Sequence, residues 1–234
     1  MNNKYDLACL ENKIKHTFQN EIFITRALTH SSYANERRSK GEIIKDNERM
    51  EYFGDSVLSL VTSEYLFFNH PEMPEGDLSK VRAETVCEKA LYEYALQINL
   101  GDFLLLGKGE DKMGGREKPS ILSDAFEALL CAIYIDSGIE EVKKFLIPFI
   151  SKKIEEVSNE KSSDYKSTLQ EFVAHEKGEL LSYVTIRESG PDHDKIFEVE
   201  ARLNSNVIGK GKAPNKREAE QLAAKEALEL FGKK

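Results

Sequence analysis

The feature that most constrains this chain is the run Asn47–Leu58, which carries three acidic residues and continues through a sequence rich in apolar residues to Pro71. At about 100° per residue, Glu48, Glu51 and Asp55 fall on one stripe of a helix, and the proline ends that helix. Apolar residues occupy most of the remaining faces, so we expect the helix to be buried on nearly all sides. A buried carboxylate without a partner is costly or takes up a proton. The pattern therefore predicts a cationic partner for the acidic stripe.

One interpretation of the stripe is a set of ordinary ion pairs with Arg49 or another basic side chain. Gly54 argues against this interpretation. A glycine inside a helix costs about 1 kcal/mol relative to alanine, and the close approach of another element is a reason to tolerate it. Because Gly54 directly precedes Asp55, such an approach would bring further ligands to the same place.

Length, charge and cysteine usage narrow the class of protein. The 234 residues suffice for one large domain or two smaller ones. Of the 33 basic and 41 acidic residues, 12 and 13 lie in residues 163–234, so the net charge of −8 belongs mainly to the part with the acidic stripe. Cys9, Cys87 and Cys131 are widely separated, which is typical of reduced, buried thiols. No signal peptide or long apolar run occurs, so we expect a cytoplasmic protein without a membrane span.

The first 156 residues show the apolar spacing of helices. Asp77 is expected to cap a helix that continues through Leu91. His30 has no other imidazole or thiol near it, which favours a hydrogen-bonded packing role. Polar loops are expected over residues 36–46 and 107–118, the second one exposed and mobile. The predicted helices cover residues 7–18, 22–28, 47–70, 77–91, 120–135 and 140–156.

The pattern changes after residue 156. Residues 157–163 are polar and predict a linker to a second domain over residues 164–232. Phe197–Leu203 alternates strictly between apolar and polar residues, as a half-buried strand does. The predicted elements are a helix over residues 165–176, strands at 183–187, 197–203 and 207–212, and a helix over 215–231. This order predicts a three-stranded antiparallel sheet backed by two helices.

A second apolar helix, opened by Pro119, also carries acids. Asp124 and Glu127 are three residues apart and share one face of it. Packed against the first helix, they would form a cluster of four carboxylates with Glu51 and Asp55. Hard oxygen ligands without thiols or imidazoles select Mg²⁺ or Mn²⁺, and such a site can activate water and stabilise charge on a phosphate. A di-iron bundle is the competing interpretation, but it normally requires Glu-x-x-His motifs, which none of the five histidines supplies.

The sequence Asn-Glu-Arg-Met-Glu-Tyr-Phe-Gly-Asp-Ser at residues 47–56 closely resembles the signature of the bacterial ribonuclease III family. Leu122–Ala128 resembles the second acidic motif of that family, and residues 164–231 are similar to its double-stranded-RNA-binding domain. The resemblance covers essentially the whole chain. It implies a multidomain protein, in which an all-α ribonuclease III endonuclease domain (residues 1–156) is followed by a small α-β-β-β-α double-stranded-RNA-binding domain.

The resemblance also implies roles for the four clustered carboxylates. Glu51, Asp124 and Glu127 would ligate Mg²⁺, with Mn²⁺ as a possible substitute. Asp55 would share the metal site and, with Glu127, carry the hydrolytic step.

Four further positions of the first domain match the family. Glu48 and Glu75 correspond to secondary acidic positions that organise substrate or metal, although a salt-bridged helix residue and a turn acid are the alternatives. Met50 and Tyr52 lie off the acidic stripe. The resemblance implies a homodimer interface for them, and packing inside one subunit is the alternative.

In the second domain, the resemblance implies two RNA-binding helices and a loop. The implied RNA-binding residues are Ser167, Gln170 and Glu171 on the first helix, His193 in the loop, and Lys216 and Arg217 at the start of the second helix. A helix N-terminus suits phosphates, and double-stranded RNA is recognised mainly through phosphates and 2′-hydroxyls. Ordinary solvation is the alternative for the two basic residues. Ala174, Leu181 and Asn215 depart from the family pattern and bear on affinity or site preference.

The resemblance and the four carboxylates together predict a homodimeric, Mg²⁺-dependent endoribonuclease that needs no small-molecule cofactor. It would cleave double-stranded RNA of the structured precursor rRNA and mRNA class and leave 5′-phosphate and 3′-hydroxyl ends. Two clusters related by two-fold symmetry could cut both strands. The alternative is a catalytically inactive adaptor that only binds double-stranded RNA, and the intact set of four carboxylates argues against it.

Overall fold

A computed structural model describes residues 7–162, 165–174, 179–191 and 195–232 of the chain. The chain forms two compact units, Met1–Glu155 and Glu156–Lys234. No helix in these described ranges is long and apolar enough to cross a membrane.

The first unit is built from helices joined by short turns. In chain order these are α1 (Leu7–Ile14), α2 (Glu21–Ala27), α3 (Ser31–Arg38), α4 (Glu48–Asn69), α5 (Glu75–Val86), α6 (Glu88–Gln97), α7 (Lys108–Lys112), α8 (Pro119–Ser137) and α9 (Ile139–Ser162), with 3₁₀ turns at Leu100–Phe103 and Gly115–Glu117. The centre of the unit is α8, which packs against α2, α4 and α6. Its apolar side chains, including Phe126 and Leu129, are enclosed by these neighbours.

The acidic run forms α4 as predicted, from Glu48 to Asn69. The prediction that this helix is buried on nearly all sides is wrong for the single chain. Tyr52, Leu60 and Phe67 are 79 %, 59 % and 66 % exposed. At 100° per residue they lie within about 80° of arc, so they form one apolar face. The chain buries the opposite side of α4 against α8 and leaves this face uncovered.

The single helix predicted from Asp77 to Leu91 is in fact two helices, α5 and α6, which are separated at Cys87. The hydroxyl of Tyr94 donates a 3.0 Å hydrogen bond to the carbonyl of Thr85. In a continuous helix the Thr85 carbonyl would accept a hydrogen bond from the backbone amide four residues later. The break removes that donor, and the Tyr94 hydroxyl takes its place. Asp77 does not cap the helix, because α5 begins two residues before it.

Residues 107–118 were predicted to be an irregular loop, but they contain α7 and a 3₁₀ turn. The segment is fixed to α3 by two hydrogen bonds. The amide of Gly107 donates to Ser32 Oγ at 2.9 Å, and the amide of Lys108 donates to Glu36 Oε2 at 2.9 Å. Side chains of α3 thus satisfy the first amides of the segment.

Three smaller expectations also need correction. Helix α3 continues to Arg38, inside the polar loop predicted after residue 35, and α9 continues to Ser162, through most of the segment predicted as a linker. Of the three thiols predicted to be buried, only Cys131 is buried, whereas Cys9 and Cys87 are exposed.

The second unit has the predicted order of elements. These are α10 (Tyr165–Ala174), β1 (Leu181–Ser189), β2 (Ile196–Leu203), β3 (Asn206–Ala213) and α11 (Lys216–Leu230). The strands pair antiparallel in the order β1-β2-β3. Helix α11 lies directly on β3, because a Cβ on Gly209 or Gly211 would collide with its main chain. The packing of α11 on the sheet therefore fixes the position of the basic residues at its N-terminus.

Candidate active site and nucleic-acid interface

The two acidic helices touch at a glycine. A Cβ placed on Gly54 of α4 would collide with the main-chain carbonyl of Glu127 of α8. A residue without a side chain allows this approach, which confirms the reason predicted for a glycine here. The contact brings Glu51 and Asp55 of α4 within electrostatic range of Glu127, and it brings Glu51 within range of Asp124 as well.

Glu127 has the most strongly shifted pKa in this carboxylate cluster. Burial is the largest cause, followed by the negative charges of Asp55, Glu51 and Asp124, and together they raise its pKa from 4.5 to about 8. Without a cation nearby, this carboxyl group keeps its proton at neutral pH. Full ionisation of the cluster at neutral pH therefore requires added positive charge.

The pKa values of Glu51 and Asp124 move in the same direction. Burial raises the pKa of Glu51, and the charges of Asp124, Glu48 and Asp55 add to the effect. Burial also raises the pKa of Asp124, while a hydrogen bond from Ser123 opposes the rise. The shifts show that the acids of α4 and α8 act on one another as a single electrostatic group.

The two secondary acidic positions differ in their surroundings. Glu48 belongs to the electrostatic group, because its charge contributes to the raised pKa of Glu51. Glu75 is the first residue of α5, and its Oε1 accepts a 2.9 Å hydrogen bond from Ser79 Oγ. It is not among the groups that shift the pKa values of the clustered acids.

Sequence reasoning did not foresee that Glu88 and His30 lie near the cluster. The charge of Glu88, the first residue of α6, raises the pKa of Asp124, and His30 lowers it. The prediction of a hydrogen-bonded His30 is confirmed, since its Nδ1 accepts from the amide of Ser32 at 3.2 Å and caps α3. Glu88 reaches this place because the chain breaks at Cys87, a break that no proline or glycine announces.

The donor set of the cluster fits a hard divalent cation, because it consists of carboxylate oxygens. No lysine or arginine contributes to the shifted pKa values of Glu51, Asp124 or Glu127, so a set of ion pairs with Arg49 is not supported. Among the residues that the structure describes, no three carboxylate, imidazole or thiol groups are positioned to hold a metal ion together.

The two positions predicted for the dimer interface lie in different environments. Tyr52 lies on the exposed apolar face of α4, about 100° around the helix from Glu51. Met50 is only 3 % exposed and packs in the core of its own unit. The prediction that Met50 contacts a partner is therefore corrected, because the subunit itself already covers this side chain.

In the second unit, α10 exposes three of the residues predicted to bind RNA. Ser167, Gln170 and Glu171 are separated by three and four residues, so they share one face. Leu169 on the opposite side is buried in the core of the unit. His193, also predicted to bind RNA, lies outside the described residues.

The start of α11 presents the two predicted basic residues. Asn215 Oδ1 accepts a 2.9 Å hydrogen bond from the amide of Glu218, so the asparagine caps the helix as a serine would. Lys216 and Arg217 are the first residues of α11 and are exposed. The Nζ atom of Lys216 lies 2.7 Å from Oε1 of Glu188.

The fold and the sites define a class of protein: a two-domain nuclease, in which a helical unit with clustered carboxylates precedes an α-β-β-β-α unit suited to duplex RNA. The family model described as Ribonuclease-III-like matches residues 20–154, and the model described as Double-stranded RNA binding motif matches residues 165–230. The chain belongs to the ribonuclease III family of endoribonucleases.

Relatives and solved structures agree with this assignment. The chain is 45 % identical over 223 residues to Ribonuclease 3 of Pelotomaculum thermopropionicum, which covers 95 % of this chain and 92 % of that protein. It is 46 % identical to Ribonuclease 3 of Caldanaerobacter subterraneus subsp. tengcongensis, with 97 % and 98 % covered. The nuclease domain of ribonuclease III from Campylobacter jejuni is 41 % identical, with a TM-score of 0.57, and the match covers 63 % of this chain and 98 % of that domain.

Proposed function

We propose that this endoribonuclease cleaves double-stranded RNA in a reaction that depends on Mg²⁺, with Mn²⁺ as a substitute, and leaves 5′-phosphate and 3′-hydroxyl ends. Structured precursors of rRNA and mRNA in the cytoplasm are the proposed substrates. The observation that carries the proposal is the raised pKa of Glu127, which results from burial and from the charges of Asp55, Glu51 and Asp124. A divalent cation is the partner that most stabilises the ionised form of such an acidic cluster.

The four carboxylates have separate tasks in this proposal. Glu51, Asp124 and Glu127 hold the metal, and Asp55 completes the site. When bound, the metal supplies positive charge that lowers the pKa of water and stabilises the phosphate during displacement. Asp55 and Glu127 orient the attacking water and accept its proton, for which Glu127 must first be ionised. The raised pKa values of Glu51 and Glu127 mean that the chain releases protons as metal binds.

We further propose that the exposed apolar face of α4 forms a homodimer interface. Tyr52, Leu60 and Phe67 supply three large apolar side chains on one face of α4 that a single chain leaves in water, with Ser56 and Ser63 between them. Such a face is typical of a protein–protein contact. The related Campylobacter jejuni nuclease domain is described as having a region involved in dimer formation. A symmetric dimer would present two carboxylate clusters, one for each strand of the duplex.

The proposed division of labour assigns catalysis to residues 1–156, connection to residues 157–163, most of which belong to the end of α9, and RNA affinity to residues 164–232. The α10 face and the start of α11 would supply that affinity through Ser167, Gln170, Glu171, Lys216 and Arg217. Polar and cationic groups of this kind suit the phosphates and 2′-hydroxyls of duplex RNA.

Replacing Glu127 with Gln tests the proposal. The amide keeps the size of the side chain but cannot supply the charge for the metal, so cleavage of a long duplex in Mg²⁺ should fall below detection while duplex binding stays nearly unchanged. Glu155→Gln, at an exposed position of α9, is the matched control and should retain both properties. Turnover like that of the unmodified protein would exclude Glu127 from the catalytic site. An unmodified protein that binds duplex RNA but does not cut it in either metal would instead identify an inactive adaptor.

A further inference from the structure

The corner of the sheet nearest the start of α11 holds an acidic residue without a role in the proposed function. Glu188, near the end of β1, pairs with Phe197 of β2, which in turn pairs with Ala213 of β3. The chain leaves β3 at Ala213 and begins α11 at Lys216. This short connection places Lys216 over the row of the sheet that Glu188, Phe197 and Ala213 form.

Lys216 makes two contacts in this corner. Its Nζ lies 2.7 Å from Oε1 of Glu188 and 5.3 Å from the centroid of the Phe197 ring. The side chains of Lys216 and Glu188 are 56 % and 46 % exposed, so an incoming ligand can reach the ion pair. The hydrogen bond from Lys216 is the largest cause that lowers the pKa of Glu188, and Lys195 adds to it.

A phosphate that binds Lys216 competes with this carboxylate for the charge and the three N–H donors of the ammonium. The face of Phe197 attracts the cation through its quadrupole and does not compete with an anion, so it can hold the lysine in either state. Glu188 does compete. Once displaced, its negative charge remains close to the phosphate and repels it.

We infer that Glu188 is a positioning residue that restrains Lys216 and lowers the affinity of this unit for anions. A ligand with one phosphate gains little by displacing the carboxylate, whereas duplex RNA engages several cations at once and can displace it. This inference rests on the proposed contact between Lys216 and RNA phosphate.

The sheet supplies a matched control. Glu198 of β2 pairs with Lys212 Nζ at 3.0 Å, and the hydrogen bond from this lysine lowers its pKa. Neither residue belongs to the proposed RNA-binding face. Glu198→Gln therefore makes the same change of charge in the same sheet without freeing Lys216.

The test measures binding of the full chain to a duplex of about 20 base pairs, enough for one RNA-binding domain, in chelator and across a salt series. Glu188→Gln should tighten binding about two- to fivefold, which is the scale of an exposed ion pair. It should also steepen the dependence of affinity on salt by up to about one unit in log–log slope, because one more cation is free to displace counterions. Glu198→Gln should change neither quantity.

Two further variants separate the possible failures. Lys216→Ala should weaken binding, and adding Glu188→Gln to it should bring no gain. If Lys216→Ala weakens binding but Glu188→Gln leaves it equal or weaker, the inference is overturned while the proposed RNA contact stands. If Lys216→Ala has no effect, the proposed contact fails and the inference fails with it. Circular dichroism confirms that each variant is folded.

Discussion

Gly54 of α4 lies directly against the main chain of Glu127 of α8, so the residue that allows close helix packing touches a residue of the carboxylate cluster. The distance between the two acidic helices is thereby tied to the absence of one side chain. Any group larger than hydrogen at residue 54 forces the helices, and the acids on them, apart.

Replacing Gly54 with Ala should therefore impair the site although no carboxylate is removed. Overpacking costs about 1–3 kcal/mol, which exceeds the gain of about 1 kcal/mol from better helix propensity. A displacement of the acids by about 1 Å should lower the cleavage rate roughly a hundredfold. Thermal denaturation and a cleavage assay in Mg²⁺ measure the two effects. Gly76→Ala on α5 is the control, because a Cβ there meets no atom within 4 Å; equal behaviour of the two variants would contradict the packing argument.

The pKa of Glu127 predicts how stability depends on pH when metal is absent. The folded protein keeps the Glu127 proton up to about pH 8, whereas the unfolded chain releases it near pH 4.5. The folded state thus binds more protons between these values, and the free energy of unfolding falls as pH rises through this window. Glu127→Gln should unfold at a higher temperature than the unmodified protein at pH 8, and at a similar temperature at pH 5, with chelator present. Glu155→Gln controls for loss of a negative charge. If Glu127→Gln does not raise the unfolding temperature at pH 8, the pKa of Glu127 is not raised in the folded protein.

Tyr52→Asp should convert the proposed dimer into a folded monomer. The substitution puts a charge on the exposed apolar face of α4, where burial against a partner would cost several kcal/mol. Sedimentation should show the monomer, circular dichroism should show intact helices, and cleavage of both strands should be lost. Met113→Asp, at a position that is 72 % exposed on the segment after α7, is the control and should sediment as the unmodified protein does. A folded dimer of the Tyr52 variant would remove this residue from the interface.

Deleting residues 163–234 should weaken RNA binding strongly and leave the carboxylate cluster functional. The first unit has its own core, and the related Campylobacter jejuni nuclease domain has been solved without a second domain. Cleavage should persist at low salt and high enzyme concentration, where weak binding suffices. A truncated protein that is folded but inactive under these conditions would show that catalysis needs the second unit.

The acidic helix, the glycine contact and the order of the second unit could be predicted because each depends on local spacing or a single residue type. The exposure of α4 could not. An apolar side chain such as Tyr52 or Phe67 has the same sequence signature whether its own chain or a partner covers it. The break at Cys87 was missed for a related reason, since the carbonyl it frees is satisfied by Tyr94, a partner that sequence spacing does not reveal. Glu88 owes its place near the cluster to that same break.

The central position of α8 has a consequence for how the protein is made. The chain up to residue 118 contains α2, α4 and α6 but not the helix against which they pack. On the ribosome these amphipathic segments emerge without a surface to cover them, and at about 5–20 residues per second α8 is complete only on the order of ten seconds after synthesis begins. The core of the nuclease unit therefore cannot be completed until α8 has been made. The helix that carries Asp124 and Glu127 also sets the earliest moment at which the nascent chain can assemble its carboxylate cluster.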